Sequence, residues 1–247
     1  MKVDILASGS AGNCIALRSS ETTILIDAGI AKTKIEKRLL EVGIRPDSIR
    51  AIFVTHAHAD HIKGLPLASK YKIPVIAAEG EWKSIQGVDR DLQRSIKAGM
   101  DVRFEDYFIE SFKTHHDAHD PLGYIVSDFE GEKCSICLDT GKVDPEMLSA
   151  MEYSNIYIIE ANHEPNMVEV SDYPNSVKAR ILSHVGHLSN EQTAEALSKL
   201  VNGVGEQIYL THLSSKNNMP ALAEMTVKRA LAKKGFKPNQ HYRIEVV

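Results

Sequence analysis

The chain has 247 residues, of which 43% are hydrophobic and 25% are charged, and its formal net charge is −4. These fractions are close to the average of globular proteins and predict an enzyme-sized domain with a substantial core. No apolar run approaches the roughly 18 residues that a membrane span requires. The negative net charge excludes a global basic field that would attract nucleic acid. We expect one domain over residues 1–247.

The N-terminus and the cysteines indicate the compartment. Met1–Ala7 reads as the start of a strand and has no long apolar core of the kind that signal peptides carry. The chain contains three cysteines, an odd number, and Cys134 and Cys137 form a single C-x-x-C in an apolar run. No second pair exists to complete a zinc site, so we interpret this pair as core. These features predict a reducing cytoplasm.

The first part of the chain is rich in short β-type runs punctuated by glycine. Strands are predicted over Val3–Ala7, Cys14–Arg18, Thr23–Asp27, Ala51–Thr55 and Val75–Ala78. Thr33 and Glu36 have the spacing of a capping box, which predicts that a helix begins there. A second helix is predicted over Leu65–Tyr71, and residues 79–100 show no clear pattern.

The second part repeats the alternation of strands and helices. Strands are predicted over Tyr107–Thr114, Gly123–Phe129, Lys133–Leu138, Ile156–Ile159, Gln207–Leu210 and Tyr242–Val246. Helices are predicted over Pro145–Tyr153, from the capping box of Ser189 and Gln192 to Leu200, and over Pro220–Lys234. This order predicts an α/β fold in which two packed sheets are covered by helices on the outside.

The most informative segment is His56-Ala57-His58-Ala59-Asp60-His61, which follows the apolar run Ala51–Thr55. Imidazole suits zinc and other transition metals, and carboxylate suits harder ions such as manganese. A run that alternates them can supply ligands to two ions. The alternative interpretation, a polar surface loop rich in histidine, does not explain so dense a cluster at the end of a buried strand.

Other polar residues also follow predicted strands. Ten of the eleven histidines lie between residues 56 and 212. Five predicted strands end at residues of metal-ligand type, namely His56, His115-His116, Asp139, Glu160 and His212. Ligands on rigid elements at a common edge are what a preformed metal site needs.

Strand geometry distinguishes His115 from His116. Because side chains alternate between faces, His116 shares a face with Phe108 and Phe112, whereas His115 shares one with Lys113. We therefore predict His116 as the ligand, although a bulge would exchange the two.

These motifs, in this order, resemble the metallo-β-lactamase superfamily over essentially the whole chain. Five further runs resemble the YycJ (WalJ) group of that superfamily: Ser8–Cys14, Asp117–Tyr124, Glu160–His163, Gly186–Asn190 and His212–Asn218. The resemblance implies a four-layer αββα sandwich with a dinuclear site at one edge. It also implies nuclease activity, as a 5′-to-3′ exonuclease on double-stranded DNA.

The resemblance also implies the ligands of two divalent ions, zinc or manganese, with iron as a further candidate. The first ion would be bound by His56, His58 and His116, the second by Asp60, His61 and His212, and Asp139 would bridge both. The expected reaction is attack of a metal-bridged hydroxide on phosphorus, with Asp60 orienting the nucleophile.

Other polar residues are candidates for supporting roles. Asp27 either accepts a hydrogen bond from a ligand imidazole or is a simple turn residue. His187 either donates a proton to the leaving oxygen, oriented by Glu160, or only supports its loop. Candidate substrate contacts are Ser10, Asn13, Lys216, Asn217 and Asn218.

Three classes of function are compatible with the sequence. The first is a phosphodiesterase with DNA as its substrate. The second is a hydrolase of a small ester, thioester, lactone or cyclic phosphate that uses the same metals. The third is a metal-binding redox protein, but such a protein would need a flavin-binding domain for which this chain has no room.

Overall fold

The computed structural model describes residues 1–247, and the chain divides into two compact units. The first unit comprises Met1–Lys113 and Ala118–Leu122, and the second comprises Thr114–Asp117 and Gly123–Val247. The assignment of the whole chain to one domain stays a prediction.

The first unit is built on a six-stranded sheet with the strand order β1-β2-β3-β4-β5-β6. The strands are β1 (Lys2–Ala7), β2 (Cys14–Arg18), β3 (Thr23–Ile26), β4 (Ile49–Phe53), β5 (Val75–Ala78) and β6 (Gln93–Ile96). The first three strands pair antiparallel, and β3 to β6 pair parallel. Two more strands, β7 (Asp101–Phe104) and β8 (Tyr107–Lys113), form an antiparallel pair.

The helices of the first unit are α1 (Lys32–Glu41), α2 (Ala59–Ile62) and α3 (Pro66–Tyr71), with 3₁₀ turns at Pro46–Ser48, Glu81–Lys83 and Arg90–Leu92. The predicted capping box at the start of α1 is wrong. The N-cap is Ala31, without a side-chain hydrogen bond, so Thr33 already lies inside the first turn. The Glu36 carboxylate instead accepts hydrogen bonds from Lys70 and Tyr71.

The second unit repeats the change from antiparallel to parallel pairing. Its strands lie in the order β13-β12-β11-β10-β9. They are β9 (Leu122–Asp128), β10 (Lys133–Cys137), β11 (Ile156–Glu160), β12 (Glu206–Thr211) and β13 (Tyr242–Val246). Only β9 and β10 pair antiparallel, and the other neighbours are parallel. Cys134 and Cys137 are buried in β10 as free thiols, which confirms their interpretation as core.

The helices of the second unit are α4 (Pro145–Met151), α5 (Pro165–Val170), α6 (Asn175–Ile181), α7 (Asn190–Leu200) and α8 (Pro220–Lys233). The predicted capping box of α7 is confirmed: the Ser189 hydroxyl accepts from the Gln192 amide, and the Gln192 side chain accepts from the Ser189 amide. The sequence analysis did not predict α5 and α6, which are only six and seven residues long. No helix is long and apolar enough to cross a membrane.

Candidate metal centre

In the first unit, the turn after β4 carries two candidate ligands. His56 and His58 lie in the turn, and His58 is the N-cap of α2 with an extended backbone. The Nε2 atom of His56 lies 3.0 Å from the Nδ1 atom of His58. Two ring nitrogens that converge in this way fit a shared divalent cation, because each neutral imidazole offers one lone pair.

The helix α2 carries the other two candidates, Asp60 and His61, and a buried carboxylate orients His61. Asp27 accepts hydrogen bonds from the Thr55 amide at 2.8 Å and the Thr55 hydroxyl at 2.9 Å, and it lies 2.7 Å from Nδ1 of His61. This contact fixes the ring and leaves Nε2 as the nitrogen that could bind a metal. Asp27 is fully buried, which fits the first of the two sequence interpretations, and its φ of 60° is also the backbone conformation of a turn residue.

Close backbone packing fixes Asp60. The Asp60 carbonyl accepts a hydrogen bond from the Asn13 amide at 2.8 Å, and the Asn13 carbonyl accepts one from the Gly29 amide at 2.7 Å. A Cβ atom at Gly29 would lie 1.6 Å from the Asp60 carbonyl oxygen, so only glycine fits there. The start of α2 therefore has little freedom to move.

In the second unit, three functional candidates lie at the ends of adjacent parallel strands. Asp139 follows β10, Glu160 ends β11 and His212 follows β12. Because carboxyl ends of parallel strands lie at one edge of a sheet, the three side chains meet. The ligand atoms of Asp139, Glu160, His187 and His212 lie within 4.8 Å of one another.

Two of these residues have strained backbones. Asp139 has φ 46° and His212 has φ 54°, values in the left-handed region that residues other than glycine seldom adopt. Such a conformation costs on the order of 1–3 kcal/mol per residue and is concentrated at functional sites. The side-chain amide of Asn162 donates to the backbone carbonyl of His212 at 2.9 Å and helps to hold that turn.

His116 is buried, and its surroundings suit metal binding. Its Nδ1 atom lies 3.0 Å from the Gly186 carbonyl, and its Nε2 atom lies 3.5 Å from a carboxylate oxygen of Asp139. Burial lowers the pKa of the His116 imidazole, although the charge of Asp139 opposes the shift. The ring is therefore neutral at physiological pH, which is the form that binds a metal.

The strand-face argument that selected His116 is wrong, even though His116 is the histidine that faces Asp139. Phe108 is 47% exposed and does not share a buried face with Phe112. The strand β8 ends at Lys113, so its alternation does not extend to residues 115 and 116. His115 instead lies 2.6 Å from Asp144, the N-cap of α4.

Glu160 and His187 form the second buried pair of carboxylate and imidazole. Oε2 of Glu160 lies 3.0 Å from Nδ1 of His187, and Oε1 accepts the Thr140 amide at 2.6 Å. Burial alone would raise the pKa of Glu160, but the charge and hydrogen bond of His187 lower it. Burial alone would lower the pKa of His187, but Glu160 raises it. Glu160 therefore favours the protonated form of His187, and His187 favours the ionised form of Glu160.

The candidate substrate contacts fall into two groups. Ser10 and Lys216 are exposed, and the Lys216 ammonium lies 5.3 Å from the centre of the Tyr173 ring. Asn13, Asn217 and Asn218 are buried. Their roles toward a substrate stay predictions.

Two of the buried side-chain amides contact other groups of the protein. The Asn13 side chain accepts from the Gly9 amide and lies 3.1 Å from Nε2 of His61. The Asn218 side chain exchanges hydrogen bonds with Asn190 at 2.9 Å.

The comparisons with known proteins identify the class. The chain matches the family described as beta-lactamase superfamily domain over residues 22–213, and it belongs to that family. It is a metal-dependent hydrolase, and the histidine and aspartate donors described above are of the type that binds divalent metals.

Two relatives that match nearly the whole chain are exodeoxyribonucleases. The chain is 37% identical to exodeoxyribonuclease YycJ of Bacillus anthracis, over 97% of this chain and 92% of the relative. It is 39% identical to exodeoxyribonuclease WalJ of Streptococcus pneumoniae strain D39, over 94% of this chain and 88% of the relative. The predicted resemblance to this group is confirmed.

Solved structures confirm the fold. The metallo-beta-lactamase fold protein YhfI from Bacillus subtilis superposes with a TM-score of 0.75 at 15% identity, over 99% of this chain and 95% of that chain. The short form of human tRNase Z has a TM-score of 0.65 at 19% identity, over 87% and 93% of the two chains. The α/β class with two mixed sheets is thus confirmed as a metallo-β-lactamase fold.

Proposed function

We propose that the protein is an exodeoxyribonuclease that hydrolyses DNA from the 5′ end with two divalent metal ions. The observation that carries this proposal is the similarity to two exodeoxyribonucleases over nearly the full chain. The donor chemistry of the candidate metal centre supports it, because paired histidine and aspartate sets are typical of two-metal hydrolases.

The proposed ligands are those that the sequence resemblance implied. They comprise His56, His58 and His116 for one ion, Asp60, His61 and His212 for the other, and Asp139 for both. The donors within each unit support the assignment: Nε2 of His56 lies 3.0 Å from Nδ1 of His58, and Nε2 of His116 lies 3.5 Å from a carboxylate oxygen of Asp139. Zinc, manganese and iron all accept such ligands.

When bound, two divalent ions lower the pKa of a water molecule and neutralise charge on phosphoryl oxygens. The protein's own contribution is to position the reacting groups. The Asp60 side chain is 26% exposed, so a carboxylate oxygen reaches solvent and can orient the attacking water. His61, directly after it, is held by Asp27 and does not need to move.

His187 is the proposed proton donor to the leaving 3′ oxygen. Its side chain is 11% exposed, whereas Glu160 is fully buried behind it. Because Nδ1 faces Glu160, Nε2 is the nitrogen that can transfer a proton to a substrate. The raised pKa of His187 supports this role, since a general acid must carry its proton at the working pH.

Contacts with the DNA backbone would be few. Arg180 is paired with Asp117 at 2.5 and 2.8 Å, the Lys178 ammonium donates to the Glu169 carbonyl, and Lys216 lies over Tyr173. Each phosphate that a protein neutralises contributes about −0.9 to the log–log dependence of binding on salt. We therefore expect cleavage to weaken only modestly between low and moderate salt.

The direct test uses linear duplex DNA labelled at either the 5′ or the 3′ end, with zinc, manganese or a chelator. We expect metal-dependent release of the 5′ label as mononucleotides before the 3′ label appears in short products. Relaxed circular DNA of the same sequence, which has no end, should remain intact. The variant Asp139→Ala is the control for a contaminating nuclease.

The opposite result would favour the second function class. If neither single- nor double-stranded DNA or RNA is cleaved with either metal, while a thioester or lactone is turned over rapidly, the nuclease proposal is wrong.

The same preparation would give the oligomeric state by light scattering. A cytoplasmic location is part of the proposal, supported by three buried cysteines that form no disulfide.

A further inference from the structure

Glu81 is a buried carboxylate that no proposed step of the reaction uses. It begins the 3₁₀ turn Glu81–Lys83 after β5, and only 1% of its surface is exposed. Removing a carboxylate from water is costly unless hydrogen bonds replace the lost hydration. Two backbone amides do so here: Ala57 donates to Oε2 at 2.7 Å, and Asp120 donates to Oε1 at 2.5 Å.

The two amides that bind Glu81 belong to different segments of the chain. Ala57 lies between His56 and His58, so its amide is part of the turn that carries both candidate ligands. Asp120 lies in the segment Ala118–Leu122, which belongs to the same unit. One carboxylate therefore joins two turns that are 63 residues apart in sequence.

Two further contacts support this junction. The Leu122 amide donates to the Thr55 carbonyl at 2.9 Å, directly before the histidine turn. On the other side, a Cβ atom at Gly80 would lie 3.0 Å from the Cβ atom of Asp120, which shows how closely the two segments approach. The His56–His58 turn is thus restrained through the residues before it and within it.

We infer that Glu81 is a positioning residue for the metal ligands His56 and His58, an inference that rests on the proposed metal centre. A charge-assisted hydrogen bond to the amide of Ala57 fixes the peptide plane between the two histidines. The ring nitrogens of His56 and His58 lie 3.0 Å apart, and a fixed peptide plane between them holds both rings in this arrangement. Loss of such an outer partner typically weakens metal affinity 10- to 100-fold.

The first experiment measures amide hydrogen exchange by NMR in the metal-free protein. In Glu81→Ala, the amides of Ala57 and Asp120 should exchange roughly 10- to 100-fold faster, as expected for loss of a charged acceptor. The matched control is Glu79→Ala, two residues away. Glu79 is 73% exposed, and its carboxylate makes a long ion pair of 3.9 Å with Lys97. Unchanged exchange at Ala57 in Glu81→Ala would overturn the inference.

The second experiment measures metal affinity and stoichiometry by titration against a chelator. Glu81→Gln keeps the side-chain volume but offers one acceptor oxygen for two amides, so it should retain the fold if Glu81→Ala does not. We expect one of the two ions to bind 10- to 100-fold more weakly in Glu81→Gln, while the other ion binds as in the wild type. Glu79→Gln should bind both ions normally.

The outcomes separate the inference from the proposed function. If the wild type and Glu81→Gln bind two ions with equal affinity, the positioning role is wrong and the metal centre stands. If both ions weaken equally and unfolding shifts to lower temperature, Glu81 has a general structural role and the inference is again overturned. A wild type that binds no divalent metal would instead refute the proposed metal centre.

Discussion

The two units supply their candidate ligands in different ways. In the first unit, four of them lie within six consecutive residues, His56–His61, in a turn and the first turn of α2. In the second unit, His116, Asp139 and His212 come from three separate turns that are distant in sequence. The first set is visible as a local motif, whereas the second is brought together only by the tertiary fold.

The units resemble each other in one respect, because each contains a buried pair of carboxylate and imidazole. Asp27 and His61 are 2.7 Å apart in the first unit, and Glu160 and His187 are 3.0 Å apart in the second. The imidazole of the first pair is fully buried, and that of the second reaches solvent. The same pairing thus holds the proposed metal ligand His61 in one unit and the proposed proton donor His187 in the other.

The largest expected effect concerns the ligands themselves. His58→Ala should remove one equivalent of metal, whereas Asp139→Ala should remove both, because Asp139 is proposed to contact both ions. DNA cleavage should fall in each variant by more than the 10- to 100-fold that is typical for an outer partner. Metal analysis of the purified proteins and cleavage of end-labelled DNA measure the two effects.

Asp47→Ala is the matched control, because Asp47 is exposed and pairs only with the exposed Arg45. If His58→Ala and Asp139→Ala both keep two equivalents of metal and full cleavage, the assignment of ligands in both units fails. If Asp139→Ala keeps one ion, the bridging role alone is wrong.

The second expected effect concerns the pair in the second unit. His187→Ala should bind two metal ions normally and slow cleavage of DNA by roughly 10²- to 10⁴-fold. A phosphodiester with a nitrophenolate leaving group needs little protonation and should be largely spared. Rates for both substrates at saturating metal give the ratio. Equal losses would indicate a positioning role, and no loss on either substrate would exclude His187 from the mechanism.

The third effect contrasts the two carboxylates directly. Asp27→Asn should weaken metal binding 10- to 100-fold, because His61 loses the acceptor that fixes its ring. Glu160→Gln should keep metal affinity within a few fold and instead lower the rate on substrates with poor leaving groups. Competition with a chelator measures the first effect, and steady-state kinetics measures the second. The same phenotype in both variants would mean that the two pairs have one role.

Much of this arrangement could be predicted from sequence, for reasons that differ between the units. Strand ends are marked by a change from apolar to polar residues, so Asp139, Glu160 and His212 could be placed at a common edge. The histidine turn needed no tertiary information. The helix α7 was marked by a capping box that involves only neighbours in sequence.

The sequence prediction failed where contacts between residues distant in sequence determine the role of a side chain. Glu36 has the spacing of a capping residue, but Lys70 and Tyr71 bind its carboxylate. Face alternation could not locate His116, because β8 ends three residues before it. Glu81 had no local signature, since its partners are backbone amides at residues 57 and 120, which any residue type except proline could supply.

The smallest expected effect concerns a buried histidine of the second unit that has no carboxylate at hydrogen-bond distance. His163 is buried, and its Nδ1 atom has no hydrogen-bond partner. Burial lowers the pKa of His163 to about 4, against the opposing charge of Glu160. Because the folded pKa lies below the ordinary value of 6.5, the unfolded chain binds more protons between these two values. The contribution of His163 to stability is therefore fully present above pH 6.5 and is lost as the pH decreases toward 4.

For the metal-free protein, we expect His163 to contribute a loss of about 1–2 kcal/mol in unfolding free energy between pH 7 and pH 5. Urea unfolding at both pH values measures the loss in the wild type and in His163→Gln. The variant should be less stable at pH 7, where it loses a packed ring, but its stability should depend less on pH. The difference between the two slopes isolates His163 from the other histidines. Identical slopes would mean that His163 is not a buried neutral imidazole in the folded protein.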